Sequence, residues 1–166
     1  ELGRVAGVLA DPKRVAVMGF CYGGGKAIRY TTQARPDAAT VVWYGNPLTD
    51  VEELGRLRAP VCAVFGCDDP QIPQPLVNRF RGALELADVE HEVMSYYGAG
   101  HAFWRSVQQV RDEEMPVIAG YRLTKNFLEG FYAGKESFAK KRAFLEFQLR
   151  ESELEEGSGE ATAEEE

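Results

Sequence analysis

The stretch Gly19-Phe20-Cys21-Tyr22-Gly23-Gly24-Gly25 constrains the fold more than any other, because it leaves almost no room between a strand and a helix. The apolar run 14–18 before it reads as a buried strand, and the pattern after it predicts a helix over 22–34 that stops before Pro36. A chain that turns this sharply puts its apex residue in a strained backbone conformation, and the residues two before and two after it must be small. Gly19 and Gly23 meet that need around Cys21. Such a turn lifts a thiol above the sheet and seats it at a helix N-terminus, where the helix dipole favours the thiolate. The Tyr22 N–H would then point at a developing oxyanion.

Three other readings compete at this point. A phosphate-binding loop fails on spacing: one residue too many separates Gly19 from Gly25-Lys26, and Ala27 stands where Ser or Thr is needed. A dinucleotide fingerprint fails because Cys21 occupies its second glycine position. A buried structural cysteine stays open.

Further along, apolar runs alternate with helical patterns, the signature of a mostly parallel sheet covered by helices. Strands are expected at 39–44, 61–65 and 90–97, and helices at 51–57, 75–87 and 115–132. Val117, Ile118, Tyr121, Leu123, Leu128 and Phe131 are the candidate core positions of the last helix. A further helical stretch at 137–154 carries an i, i+4 pair, Glu146 and Arg150. It packs on the body or mediates association.

The net charge of −7 over 166 residues is uneven. Eight of the 26 acidic residues fall in the last sixteen positions, so the remaining 18 nearly balance the 19 Lys and Arg. The tail ESELEEGSGEATAEEE lacks aromatics and is expected to be solvated and disordered. No basic stripe interleaved with aromatics points to nucleic acid, and no apolar run is long enough to span a bilayer. Three cysteines without a secretion signal argue against a disulfide framework, and no Cys–His spacing suggests zinc. A reduced, cytoplasmic setting is expected. Cys62, inside a strand, is expected in the core; Cys67 reads as incidental.

A thiol nucleophile needs a base, and histidine is scarce. His91 starts a strand and reads as a surface residue; His101 follows the fourth strand in a glycine-flanked loop. An acid must then orient the imidazole. Asp68 and Asp69 both follow the third strand, at the sheet edge where functional residues of parallel sheets gather. The order nucleophile, acid, histidine is the one α/β-hydrolases use.

With GFCYGG at 19–24, GCDDPQIP at 66–73 and GAGHAFWR at 98–105, the chain resembles the dienelactone hydrolase family over roughly residues 11–132. The resemblance lies in the Cys nucleophile, a G-x-x-D-x-x-I/V-P acid loop and a G-H-x-F histidine loop. It implies a three-layer α/β-hydrolase fold and a triad of Cys21, Asp69 and His101, with Asp68 a solvated loop residue. It also implies a carboxylate-binding role for Arg105, whose equal alternative is an exposed loop arginine. Trp104 and Phe103 line the pocket or simply pack. The implied reaction is hydrolysis of an activated ester or lactone through an acyl-enzyme, with no cofactor and no metal, on a small-molecule substrate of the kind met in aromatic-ring degradation.

That fold carries several strands before its nucleophile strand, and this chain begins at Glu1 without them. It is therefore expected to be an N-terminally truncated core (1–133), a C-terminal helix (134–154) and an acidic tail (155–166). The family's second oxyanion donor, the glutamate that partners its resting cysteine and a second arginine would be absent. The nucleophile strand would form an exposed apolar edge, open to self-association, as is the C-terminal helix. The rival expectation is a degenerate hydrolase domain kept as a non-catalytic interaction module. A thiol redox protein is disfavoured by the lack of a CxxC partner.

Overall fold

The structure, a computed structural model, describes residues 15–134. Residues 1–14 of the expected core, the helix and ion pair expected at 137–154 and the acidic tail lie outside the described residues.

Among the described residues nine elements follow in order: β1 (Ala16–Phe20), α1 (Tyr22–Ala34), β2 (Ala39–Trp43), α2 (Val51–Leu54), β3 (Val61–Gly66), α3 (Gln74–Leu86), β4 (His91–Tyr96), α4 (Val107–Arg111) and α5 (Val117–Tyr132). The four strands form one all-parallel sheet in the order β1-β2-β3-β4. Every residue of β2 and β3 is buried. Their unbroken apolar runs suit central strands covered on both faces. The outer strands β1 and β4 are only partly buried, and β4 has the mixed sequence HEVMSY of a strand with one neighbour.

Successive strand residues point to opposite faces, so the register sorts the side chains into two layers. On one face Val42, Val61, Ala63 and Phe65 pack with Ile28 of α1, Leu54 of α2, and Phe80 and Leu84 of α3. These four helix residues are fully buried, each contributing on the order of 1.5–3 kcal/mol of hydrophobic stabilisation. On the other face Trp43 and Val64 meet α5 at Gly120, where an added Cβ would come within 2.6 Å of the Trp43 ring. The indole N–H of Trp43 donates to the Thr124 hydroxyl at 3.1 Å, which satisfies an otherwise orphaned buried donor. Helices therefore cover both faces of the sheet.

Three details differ from the sequence reading. β1 lies two residues later than expected and is not fully buried: Met18 and Phe20 are about 40% exposed. Pairing with β2 from Ala16↔Ala39 to Phe20↔Trp43 sets that boundary, and β1 has no other strand neighbour among the described residues. The buried face of α5 runs through Val117, Ile118, Gly120, Thr124 and Phe127, whereas Tyr121 is exposed and Leu123, Leu128 and Phe131 are half-buried. The Trp43 indole needs small residues opposite it, so a face of Gly and Thr wins over the more apolar one. The short α4 stands where a loop was expected.

Candidate active site

The C-terminal ends of β1, β3 and β4 bring the site together. After β1 the chain turns at Cys21, whose φ of 51° lies in the left-handed region. Close contact between Gly19 and the Gly23 carbonyl leaves no room for a Cβ at Gly19. A Cβ at Gly23 meets nothing within 4 Å among the described residues, so only Gly19 is sterically fixed by the turn. The Cys21 N–H donates to the Trp43 carbonyl (2.9 Å), and the Cys21 carbonyl accepts from Gly24 N–H (3.0 Å), which holds the turn between β2 and α1.

After β3, Asp69 is 2% exposed. Its Oδ1 accepts from the backbone N–H groups of Gln71 (2.8 Å) and Ile72 (3.3 Å), a local turn that fixes the carboxylate plane. The acid loop is also tied to the histidine loop. Asp68 N–H donates to the Ala99 carbonyl (2.9 Å), Cys67 N–H donates to the Tyr96 carbonyl (2.8 Å), and a Cβ at Gly66 would collide with Ala99.

With the two loops so joined, His101 Nδ1 lies 2.7 Å from Asp69 Oδ2. Because an ionised carboxylate can only accept, Nδ1 carries the proton. His101 Nε2 lies 3.0 Å from the Cys21 sulfur. The three residues thus form one hydrogen-bonded chain from a buried acid to an exposed thiol.

The electrostatics follow from that chain. The hydrogen bond from His101 holds the Cys21 thiol below its usual range against the opposing desolvation, helped by the Tyr22 backbone N–H and the imidazole's charge and countered least by the Asp69 charge. Burial pulls His101 down, but its bonds to Cys21 and Asp69 and their charges outweigh it, so the imidazole pKa is raised. Both shifts favour a thiolate–imidazolium pair. Burial pushes Cys62 up to about 12 and also raises Cys67, so neither shares the acidity of Cys21.

Of the other expected residues, Asp68 is exposed. Phe103 is buried in a ring cluster, 5.6 Å from Trp43 and 5.4 Å from Tyr44 between centroids. Trp104 is half-buried, 4.7 Å from Trp43 and edge-on to Phe20 and Tyr121. Arg105 is exposed, and its guanidinium makes no hydrogen bond or ion pair with the described residues. Cys62 lies in the core as expected. His91 is half-buried rather than a surface residue, because its Nδ1 donates to the Val89 carbonyl at 2.7 Å and folds the ring inward. Among the described residues no cluster of His, Cys, Asp and Glu has the makings of a metal site, and no helix is long and apolar enough to cross a membrane.

Two contributors escaped the sequence reading. Tyr44, directly after β2, is buried with φ 37°; its hydroxyl donates to the Trp104 carbonyl (3.2 Å) and its ring meets His101 edge-on at 5.7 Å. The rule that active residues gather at the C-terminal ends of parallel strands also applies to β2, and would have found it. Gln109 of α4 accepts from the N–H groups of Arg105 (2.6 Å) and Ser106 (3.1 Å) and donates to the Phe103 carbonyl (3.3 Å). The S-x-x-Q spacing from Ser106 to Gln109 is the available signal.

The sequence profile of the dienelactone hydrolase family matches residues 5–132. A Salmonella typhimurium protein named "Putative carboxymethylenebutenolidase" is 35% identical over 102 residues, covering 56% of this chain and 38% of that protein. A Bradyrhizobium protein named "Probable 2-oxo-3-(5-oxofuran-2-ylidene)propanoate lactonase" is 28% identical over 146 residues, 80% of this chain and 56% of its own length. The crystal structure of a "Putative Dienelactone Hydrolase" from Klebsiella pneumoniae superposes with a TM-score of 0.62 at 28% identity, over 77% of this chain and 58% of that one. The matched segments thus span between 38% and 58% of the length of these relatives. With the fold, the ordered motifs and the profile in agreement, the chain belongs to the dienelactone hydrolase family.

Proposed function

We propose that the chain carries the catalytic triad of a hydrolase for activated esters or lactones, with Cys21 as nucleophile, His101 as proton carrier and Asp69 as the group that orients it. The observation that carries this reading is the unbroken path from Cys21 sulfur to His101 (3.0 Å) to Asp69 (2.7 Å). The thiolate attacks the carbonyl carbon, and the electron pair moves to the oxygen, where the Tyr22 N–H receives it. The tetrahedral centre collapses, the imidazolium protonates the departing oxygen, and a thioester remains on Cys21. His101 then takes a proton from water, which attacks the thioester; the acid leaves, the sulfur departs as thiolate, and the thiolate–imidazolium pair is restored. A thiolate suits good leaving groups, such as the enolate of an enol lactone.

Arg105 is assigned to a carboxylate on the substrate, since its unpaired guanidinium can donate two parallel hydrogen bonds. Trp104 is assigned to the wall beside it, with Phe103 supporting that wall from beneath. The names of the relatives, a carboxymethylenebutenolidase and a lactonase, favour a small lactone acid as the substrate class. A reducing, cytoplasmic compartment suits a nucleophile that must remain a free thiol.

Hydrolysis of p-nitrophenyl acetate by the full chain, beside a Cys21→Ala variant, tests the reading. The expected result is turnover by the wild type, a transient acetyl adduct on Cys21 by mass spectrometry, and a loss of about three powers of ten or more in the variant. Equal rates for two folded proteins would sink it.

A further inference from the structure

Only five non-glycine residues among those described have positive φ: Cys21, Tyr44, Asp88, Ala102 and Glu113. Cys21, Tyr44 and Ala102 lie in or beside the candidate triad, Ala102 being the neighbour of His101. A left-handed backbone at a residue with a Cβ persists only where its surroundings over-determine it. At Tyr44 those surroundings are visible. Its N–H donates to the Val64 carbonyl (2.7 Å), and its ring is enclosed by Phe20, Trp43, His101 and Phe103. The next residue, Gly45, lies so close to Gly24 and Gly25 that no Cβ fits. The backbone here is therefore packed directly against the start of α1, and the side chain is directed across the sheet edge to the Trp104 carbonyl of the histidine loop.

We propose that Tyr44 is a positioning residue that straps the histidine loop to the nucleophile turn, its hydroxyl holding the Trp104 carbonyl and its ring edge holding the His101 imidazole at its distance from Cys21. This rests on the triad reading of the site. The geometry is direct. Trp43 accepts the Cys21 N–H on one side, and the next residue along, Tyr44, reaches the loop that carries His101 on the other. One dipeptide therefore sets both ends of the 3.0 Å Cys21–His101 contact. Burial and the nearby Cys21 charge push the Tyr44 phenol up to about 12, so it stays a hydrogen-bond donor across the working pH range. Tyr44 donates no proton to the reaction; it acts through His101.

The test follows Cys21 ionisation and does not need turnover. Carboxamidomethylation by iodoacetamide is measured from pH 4 to 10, with the label on Cys21 quantified by mass spectrometry. The proteins compared are the full wild-type chain, Tyr44→Phe, and Val77→Ala, a core truncation in α3 on the opposite face of the sheet. The expected result is a wild-type midpoint below that of an ordinary thiol. Tyr44→Phe should move the midpoint upward and slow labelling at pH 6 by roughly three- to tenfold, the size of one lost hydrogen bond. Val77→Ala should lower the melting temperature and leave the midpoint alone. A depressed wild-type midpoint that Tyr44→Phe leaves unchanged overturns the strap while sparing the triad. An ordinary wild-type midpoint overturns the triad reading and the strap with it. A midpoint shift as large in Val77→Ala would reduce Tyr44 to a residue of general stability and overturn the proposal.

Discussion

Asp69 and Cys21 sit at the two ends of one hydrogen-bonded chain and in opposite surroundings. Asp69 is buried, and its carboxylate is used by two backbone N–H groups and an imidazole. Cys21 is exposed, with a strained φ and one side-chain partner. The difference fits the roles proposed for the two groups. A sulfur that is to attack a substrate cannot be enclosed. A carboxylate that is to hold the imidazole in one tautomer and place must itself be fixed, and two backbone N–H groups on Oδ1 do this while Oδ2 faces His101. The hydrogen bonds are thus concentrated at the buried end, and His101 links it to the open one.

The largest effect that would break this asymmetry is expected at the sealed end. Asp69→Asn keeps an oxygen for Gln71 and Ile72 but sets an amide against a donor, His101 Nδ1–H. Loss of that charge-assisted bond is expected to cost about 1.5–3 kcal/mol of stability, read by urea denaturation. It also removes an interaction that raises the imidazole pKa, so the His101 pKa falls, while the Asp69 charge that opposes the Cys21 thiolate is lost with it. The imidazole is then less basic and no longer held in one tautomer, and ester hydrolysis is expected to drop by about two to four powers of ten at neutral pH. Cys21→Ala, by contrast, should abolish turnover with stability changed by about 0.5 kcal/mol or less, as for an exposed side chain. Equal stability losses in the two variants would erase the distinction between the ends.

Much of this was legible in the sequence because the constraints were local. The turn at Cys21 needs Gly19 within a few residues of it, and the strand order puts Cys21, the Asp68-Asp69 pair and His101 at one sheet edge, while the family resemblance of the acid loop singles out Asp69. The exact span of β1 was not local: Gly19 reads as the start of a turn, yet pairing with β2 keeps the chain extended to Phe20 and delays the turn to Cys21. The buried face of α5 was hidden for a different reason. Hydrophobicity points to Leu123 and Leu128, whereas the fit against Trp43 demands Gly120 and Thr124, residues that carry little apolar signal. Tyr44 was missed because its part depends on a loop sixty positions away.

The Trp43–Gly120 contact offers the next test, intermediate in size. Trp43 is fully buried and lies beneath Phe103 and Trp104 of the histidine loop. In Gly120→Ala the new methyl must push the indole or α5 aside, an overpacking expected to destabilise by about 1–3 kcal/mol, partly offset by the better helix propensity of Ala. If the sealed end transmits its order through the sheet, Cys21 labelling should shift less than in Asp69→Asn. The measurements are a thermal melt and the pH midpoint of alkylation. A shift as large as that of Asp69→Asn would mean that the ring layer, and not the carboxylate, dominates the placement of His101.

The smallest effect belongs to Gln109, which ties residues 103–106 together but touches neither end of the chain of hydrogen bonds. Removing its amide in Gln109→Ala leaves the Arg105 and Ser106 N–H groups to water, since both residues are exposed. The stability cost should therefore be about 0.5–1.5 kcal/mol and not the larger penalty of buried orphans. The consequence for the site is directional. Arg105 and Trp104, held by this clamp, lose their fixed placement, while His101 keeps Asp69 and Tyr44. If Arg105 holds a substrate carboxylate as proposed, then for a lactone bearing one KM is expected to rise a few-fold with kcat nearly constant, the sign of lost uniform binding. For a neutral aryl ester, which offers Arg105 nothing to hold, neither constant should move. If kcat falls for both substrates alike, the clamp is positioning the imidazole itself, and the ordered region of the site extends beyond Asp69 into α4.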